Sequence, residues 1–582
     1  MTQFFEVTRR DGPARLGTVR LDDPLQTPGR VDDALVDAGS EWVTDRSVDP
    51  TSDALTVLPH RAFPAGTPTD IQTTFDEPTA DYDAPTAAVV TPETARDRGT
   101  DAYVLSGAPA VDRDARAIVD RVVAVREAIP SDTALYLPGL ATPRLVATLA
   151  YAGADLFDAD RAVVAGRQGR YLTVEGSRRL QDLTDLPCAC SACRSATPDT
   201  FDRDDCVTHN VAALDAAIAT VRQRIHEGRL RDYLEGQSKQ ARWLAEAIER
   251  LDDTDYLEQR TPLVRNASMT ATGDATLRRV EIRRFAERVA ERFSARLSET
   301  AVLVPCSATK PYGDSPSHGQ FRGAIDYRAH KVSLTSPLGV VPQELELTYP
   351  AQHYDTVVTG SWTDTEVAVV ADALERYLRA QEYERVIAHV PADYRPIVER
   401  ATRDLDLPIV WTADETHPRD QSALDRLDEA LAGQERYRKR ARQHAIVRSI
   451  ADYQFGAGAG DAIFEDLSVQ SFHPKLRAHA SDGTQLAAVV PEYGTLALSL
   501  AGARRWLDAD VPTLTATIDD FVPHGSVLAP GVVDADPAIR VGDEVVFEGP
   551  SAFAVGRATM SGPEMAASTR GIACEVRHVE TR

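Results

Sequence analysis

The sequence predicts a multidomain α/β protein that ends in an all-β module. Three observations lead there. At 582 residues the chain is too long for one domain, and about 150 residues per domain suggests about four. Through most of its length, short apolar runs alternate with helical patterns, which is how strand–helix units and parallel sheets read. After residue 456 the strand candidates QLAAVV, LALSL, TLTATI, SVLAPGVV and EVVFEG follow one another, broken by Gly and Pro.

The elements divide as follows. Residues 1–255 contain AYVLSG (102–107), a helical RDARAIVDRVVAVREAI (113–129), ALYLPG (134–139) and PRLVATLAYAGADLFDAD (143–160), then a long helical pattern over 211–251. Residues 270–430 form a second α/β domain. It opens with a helix, LRRVEIRRFAERVAERFSARL, and continues with strands AVLVPC, YDTVVTG (354–360), YERVIAHVP (383–391) and LPIVWTA (407–413). The helix DTEVAVVADALERYLRAQ separates the second strand from the third. Residues 420–456 read as one or two helices, so 431–506 becomes a linker helix with a small α+β domain. The terminal module is 507–582. No internal repeat or low-complexity tract interrupts this plan.

Composition excludes several classes. An apolar content of 43% supplies several cores, and 26% charged residues rule out a disordered chain. No run approaches the roughly 20 apolar residues of a membrane span. The N-terminus, MTQFFEVTRRDG, lacks the basic-then-apolar layout of a secretory signal. A cytoplasmic protein without a membrane partner is expected. The net charge is −25, the acid is dispersed, and only five of the 64 basic residues are lysine. That is the surface of a protein adapted to high salt, as in a halophile. A dispersed acidic surface repels polyanions, yet concentrated salt screens that repulsion within a few ångströms. RNA contacts are therefore sought in local basic clusters, and Arg436, Arg438, Lys439, Arg440 and Arg442 form the one dense cluster.

Six cysteines do not make a disulfide scaffold in a chain of this length. Four of them fall between 188 and 206. PCACSACR supplies Cys188, Cys190 and Cys193, with His209 sixteen residues further on. Three thiolates and an imidazole suit tetrahedral zinc, and four protein ligands leave no position for water, so the site is structural. Cys206 is the alternative fourth ligand. The fifth cysteine, Cys306, lies in VLVPCSATKPYGDSPSH (302–318), where an apolar run delivers it into a loop with Lys310, Tyr312, Ser315 and His318. The residues alone leave two readings open, a nucleophile or a small hydrophobe packed after its strand.

Several of these stretches resemble a known family. C-x-C-x-x-C followed by His209, Asn210 and a long helix resembles the zinc subdomain of tRNA-guanine transglycosylases. FFEVTRRDGPARLG is similar to the first strands of the archaeal members. PGLATPRLVATLAYAGADLFDAD resembles the barrel strand carrying their nucleophilic aspartate, which falls on Asp158. IADYQFGAGAGDAIF (450–464) resembles the domain before their PUA module, and 524–578 resembles that module. The resemblance implies a TIM-barrel-like (β/α) domain over 1–255 with a zinc subdomain at about 186–215, and a PUA RNA-binding β-barrel over 507–582. The departures are equally informative. Asp158 is followed by Ala159, Asp160 and Arg161, no Asp-Ser-Gly segment follows, and the barrel is short.

The motif Pro305, Cys306, Lys310, Pro311, Tyr312, Ser315, His318 resembles the signature of archaeosine synthase, a transglycosylase paralogue that has lost base exchange. That resemblance implies a substrate, tRNA carrying 7-cyano-7-deazaguanine at position 15. The nitrile becomes an amidine, giving archaeosine directly or through a lysine adduct that a partner lyase cleaves. The amine donor is lysine, glutamine or ammonia, and the related transglycosylases imply a homodimer. On this reading Cys306 adds to the nitrile carbon and Lys310 or His318 activates the thiol. His318, with its unperturbed pKa near working pH, protonates the nitrogen, and Tyr312 or Ser315 hydrogen-bonds there. Pro305 and Pro311 stiffen the loop beside the substrate, and Asp158 is carried over as a substrate contact. Ser336, His353, Trp362, Asp364 and Tyr394 are further pocket candidates. Arg540, Arg557 and Arg577 of the PUA-like module join the 436–442 cluster as phosphate contacts. Two other functions compete: a working transglycosylase that exchanges guanine for a deazaguanine, and a tRNA-binding protein without catalysis.

Overall fold

The structure is a computed structural model that describes residues 3–42, 46–61, 63–64, 67–75, 79–356, 361–413 and 416–582. It divides into two compact units. The first comprises Met1–Thr261 with Leu528–Val532 and Met560–Ala573, and the second comprises Pro262–Val527 with Val533–Thr559 and Cys574–Arg582.

The first unit opens with a three-stranded antiparallel sheet, Phe5–Asp11, Ala14–Val19 and Leu25–Thr27. A parallel sheet follows. Its strands run in the order Gly29–Arg30, Leu156–Phe157, Ala134–Tyr136, Ala102–Leu105, Thr86–Val90, Leu55–Val57 and Leu35–Asp37. The first and last of these belong to one stretch, 29–37, so the sheet curls back on itself. Val31, Leu55, Ala87, Ala102, Ala134 and Leu156 are buried within the curl. AYVL at 102–105 is buried at every position, as expected of a parallel strand covered on both faces. The expected barrel is thus present in abbreviated form, with fewer strands than the eight of a complete one. Helix Arg203–Glu227 packs beside it. Asp202 closes a capping box at its start, and Gly228 ends it at φ 69°, a left-handed turn that favours glycine.

The second unit is built on a five-stranded sheet. Its order is Gly339–Pro342, His330–Thr335, Thr300–Pro305, Arg385–Ala388, Ile409–Trp411. The first pair is antiparallel and the rest are parallel. The chain leaves the central strand Thr300–Pro305 through helix Pro316–Ile325 toward one edge, then returns through helix Asp364–Ala380 to build the other. The carboxyl ends of Thr300–Pro305 and Arg385–Ala388 therefore flank a topological switch point, where open α/β sheets hold ligands.

Two strand expectations change. Of 354–360, Tyr354–Asp355 pairs only with Met269–Thr270, outside the main sheet, and 357–360 lie outside the described residues. Its expected place is taken by HKVSLT (His330–Thr335), whose polar side chains disguised a strand buried at all its positions. Residues 420–456 form two helices, Gln421–Ala430 and Lys439–Phe455. A four-stranded antiparallel sheet over 468–498, helix Leu500–Asp508 and a six-stranded terminal sheet complete the chain. One continuous apolar core runs through the second unit, from Phe285 past Leu334 and Leu374 to Trp506 and Val555. Among the described residues no helix is long and apolar enough to cross a membrane.

Candidate active site and metal centre

The buried run Thr300–Pro305 carries Cys306 to the carboxyl edge of the central sheet, where its side chain is half-buried. Cys306 Sγ lies 3.4 Å from the Tyr394 hydroxyl, which sits in the turn after strand Arg385–Ala388. Trp362 packs edge-on against Tyr394 with ring centroids 4.8 Å apart. Thiol and phenol thus meet from the two strands that flank the switch point. Lys310 holds its ammonium 4.0 Å over the Tyr354 ring, a cation–π contact. Its Nζ is buried without a hydrogen-bond partner among the described residues. Desolvation lowers the Lys310 pKa, against opposing pulls from Cys306 and then Asp355. Such a lysine gives up its proton more readily than an exposed one.

The other motif residues serve the loop itself. Tyr312 is fully buried, and its hydroxyl pairs with that of Tyr354, which also bonds Thr335 Oγ1 at 2.7 Å. Ser315 Oγ lies 2.8 Å from Ser307 Oγ and 2.8 Å from Ser317 Oγ. Neither hydroxyl is free for the substrate contact expected of it. His318 requires the larger correction. Its Nε2 donates to the Pro305 carbonyl at 3.1 Å, and Lys331 Nζ donates to its Nδ1 at 3.2 Å. Burial first, then Lys331, push the His318 pKa down to about 2. The ring stays neutral at working pH, so it is not the general acid that its unperturbed value suggested. It instead pins the strand end before Cys306. Pro305 contributes this carbonyl, and Pro311 leads into the 3-10 turn Tyr312–Asp314.

Lys331 is buried and paired with Glu346. This pair and Tyr354 escaped sequence reasoning, and the one available signal was a His-Lys pair opening a buried strand. Of the remaining candidates, Asp364 sits in the first turn of its helix and His353 packs on Tyr349 with centroids 5.7 Å apart.

Asp158 ends the barrel strand Leu156–Phe157 but faces inward. Its Oδ2 accepts from Tyr136 Oη at 2.8 Å and Gly139 N at 2.6 Å, and Oδ1 accepts from Asp160 N at 3.0 Å. A carboxylate buried and occupied in this way is a structural acid, contrary to the substrate contact expected.

The ligand atoms of Cys188, Cys190, Cys193 and His209 all lie within 4.8 Å of one another, an arrangement able to hold a metal ion. Nδ1 of His209 faces the sulfurs, 3.6 Å from Cys190 and 3.4 Å from Cys193, while Nε2 donates to the Leu172 carbonyl at 2.8 Å. That second bond leaves the Nδ1 lone pair toward the thiols, as at metal-bound histidines. Tyr171 stacks on the imidazole at 3.6 Å and its hydroxyl lies 3.3 Å from Cys193 Sγ. Cys206 is buried but does not join the four grouped ligand atoms, so the geometry favours His209 over Cys206 as the fourth ligand.

The basic residues also sort by environment. Arg436, Arg438, Lys439 and Arg440 are exposed at the start of helix Lys439–Phe455, Arg436 pairing with Asp326. Arg442 lies over the Tyr327 ring at 3.3 Å, and Lys439 over Phe472 at 4.4 Å. Lys439, Arg442 and Tyr327 line a cleft of about 520 Å³ that reaches Lys331 and Glu346. Arg577 is tied to buried Glu544 by two 2.8 Å bonds and Arg557 to Glu575 at 3.1 Å. Arg540 bonds the Pro537 carbonyl at 2.8 Å. These three are held by the module itself, not presented as free cations.

Comparison with known proteins agrees with this layout. Residues 90–242 match the family described as queuine tRNA-ribosyltransferase, and 445–512 match the patch-forming domain C2 of tRNA-guanine transglycosylase. Residues 515–579 match the PUA domain, and 282–431, which contain the Cys306 motif, match a domain of unknown function (DUF5591). The chain is therefore a multidomain protein in which transglycosylase-type and PUA segments flank a central domain of unknown function. It is 52% identical to the archaeosine synthase of Haloferax volcanii, over 100% of both chains. It is 39% identical to the archaeosine synthase subunit alpha of Methanosarcina acetivorans, again over 100% of both. Against the tRNA-guanine(15) transglycosylase of Methanothermobacter thermautotrophicus the identity is 28%, covering 79% of this chain and 68% of the other. The chain belongs to the archaeosine synthase family.

Proposed function

We propose that this chain is an archaeosine synthase, a transferase that converts the nitrile of 7-cyano-7-deazaguanine at position 15 of tRNA into an amidine. The observation that carries the reading is the Cys306 thiol, half-open at the switch point beside Tyr394 and on the same loop as Lys310, whose ammonium has no hydrogen-bond partner among the described residues. The Cys306 sulfur adds to the nitrile carbon, and its proton passes through Lys310 to the nitrile nitrogen, giving a thioimidate. An amine then adds to that carbon, the C–S bond breaks, and the thiol is regenerated while the amidine stays on the base. Tyr394 Oη orients the sulfur, and His318 with Pro305 fixes the strand end. On this reading the domains are a transglycosylase-like barrel with zinc subdomain, the catalytic α/β domain, a small α+β domain and a PUA module.

Zinc is the ion that three thiolates and one imidazole fit best, held by Cys188, Cys190, Cys193 and His209 in a closed structural site. The exposed 436–440 residues contact tRNA phosphates, in a protein whose acidic surface suits high salt. Lysine, glutamine or ammonia supplies the nitrogen, with a separate lyase completing the product where lysine is used, and a homodimer is the working assembly.

The test is nucleoside mass analysis of nitrile-bearing tRNA incubated with isotopically labelled lysine. Wild-type protein should consume the nitrile. Cys306→Ala should not, while still binding tRNA, and near-normal turnover by Cys306→Ala would remove the thioimidate. Incubating tRNA bearing guanine at position 15 with labelled deazaguanine should give no incorporation, consistent with the buried Asp158.

A further inference from the structure

The first unit holds a second cleft that the nitrile chemistry does not use. It opens at the carboxyl end of the curled sheet, between the segment after strand Ala134–Tyr136, the helix that follows Asp158, and hairpin 170–179. Carboxyl ends of barrel strands are where such folds bind ligands, yet the buried Asp158 is not among the residues that line this opening. What lines it is basic. Arg113, Arg144, Arg161 and Arg170 share the cleft with a single carboxylate, Asp112. Asp112 is divided between Arg161 and Arg113, the latter at 3.7 Å.

Arg144 and Arg170 have no carboxylate partner among the described residues. Arg144 is anchored through one bond to the Gln240 carbonyl at 2.5 Å, and its Nε is buried without a partner. Desolvation, then repulsion from Arg113, lowers its pKa, so the Arg144 guanidinium has a second cation nearby that only the shared Asp112 offsets. In a chain of net charge −25 such a local excess of cations stands out. The indole of Trp243 forms part of the wall. Guanidinium forks match phosphate oxygens, and an indole face accepts a base or sugar. The cavity, about 250 Å³, holds a phosphate and part of its nucleoside.

We propose that this cleft is a nucleotide-phosphate site, in which Arg144 and Arg113 grip one phosphate beside Trp243. The phosphate belongs either to the bound tRNA or to a free nucleotide. The site stands apart from the Cys306 chemistry and is read by binding alone.

The experiment measures tRNA affinity by fluorescence anisotropy across a potassium chloride series. It compares wild type, Arg113→Gln/Arg144→Gln, and Arg116→Gln/Arg178→Gln, two exposed arginines outside the cleft. A tRNA phosphate predicts a roughly tenfold or greater loss for the cleft variant alone, with its log–log salt slope shallower by about one. A parallel titration uses guanosine 5′-monophosphate. Saturable binding by wild type that the cleft variant loses, with tRNA affinity unchanged, identifies a free nucleotide instead. Equal tRNA affinity in all three proteins together with no mononucleotide binding overturns the proposal. Should the cleft variant fail to fold, Arg113→Gln/Arg170→Gln changes only exposed side chains and is read in the same way.

Discussion

At Cys306 the expected chemistry depends on a neighbour whose charge the fold lowers. Lys310 is desolvated and without a hydrogen-bond partner among the described residues, so Lys310→Met should cut nitrile turnover by about 10²-fold or more. The wild-type rate should also fall on the basic side at a pH below 10.5, the ordinary lysine value, as the ammonium is lost. That limb should vanish in the variant, and a pH–rate profile checks both. His318 behaves in the opposite sense. Its folded pKa lies far below 6.5, so between pH 6.5 and about 2 the unfolded chain binds a proton that the folded chain refuses. Stability therefore falls as pH drops through that window. His318→Asn should weaken this acid-side loss in urea melts at pH 5 and 7, without moving any limb of the rate profile. A rate profile that lost an acidic limb would show that the imidazole titrates during turnover. The motif's spacing exposed the importance of His318, but its protonation state depends on burial first and then on Lys331, thirteen residues away and brought near by strand pairing.

Elements set these residues in place. The strand end at Pro305 and the turn at Ala392–Tyr394 bring thiol and phenol together because the strands before them are paired parallel neighbours ending at the same edge. The metal centre relies on a different device. Helix Arg203–Glu227 offers Cys206 and His209 one turn apart, and packing turns His209 rather than Cys206 toward the three thiols. Chelation, or Cys193→Ser, should release hydrogen-exchange protection in residues 170–215 while leaving the barrel strands protected, since the ion's binding energy is local folding energy. Elemental analysis of the purified protein should find zinc, and protection unchanged by chelator would argue for a cluster of reduced thiols.

At the scale of the whole molecule, charge governs encounter with tRNA. A net charge of −25 opposes polyanion binding, so tRNA contact depends on local basic patches such as the exposed 436–440 side chains. Arg436→Glu/Arg440→Glu should weaken tRNA binding at every salt concentration and flatten the log–log salt slope by about two. The dispersed acid predicts further that the melting temperature rises as potassium chloride increases, because screening relieves self-repulsion over a Debye length of about 10 Å at 0.1 M and about 3 Å at 1 M. A melting temperature independent of salt would contradict adaptation to high salt.

Read in order, the residues alone revealed the modular plan, the Cys188–His209 ligand set and the Cys306 motif, because strand–helix alternation and ligand spacing are local patterns written in adjacent positions. The strand His330–Thr335 stayed hidden, since its polar side chains pair only with partners such as Glu344, Glu346 and Tyr383 that folding supplies. Tertiary structure alone decided that His318 is neutral, that Asp158 is occupied and that Arg577 is held by Glu544. Each of these turns on burial or on a partner distant in sequence. Protonation and availability follow from surroundings, and surroundings exist only once the chain has packed.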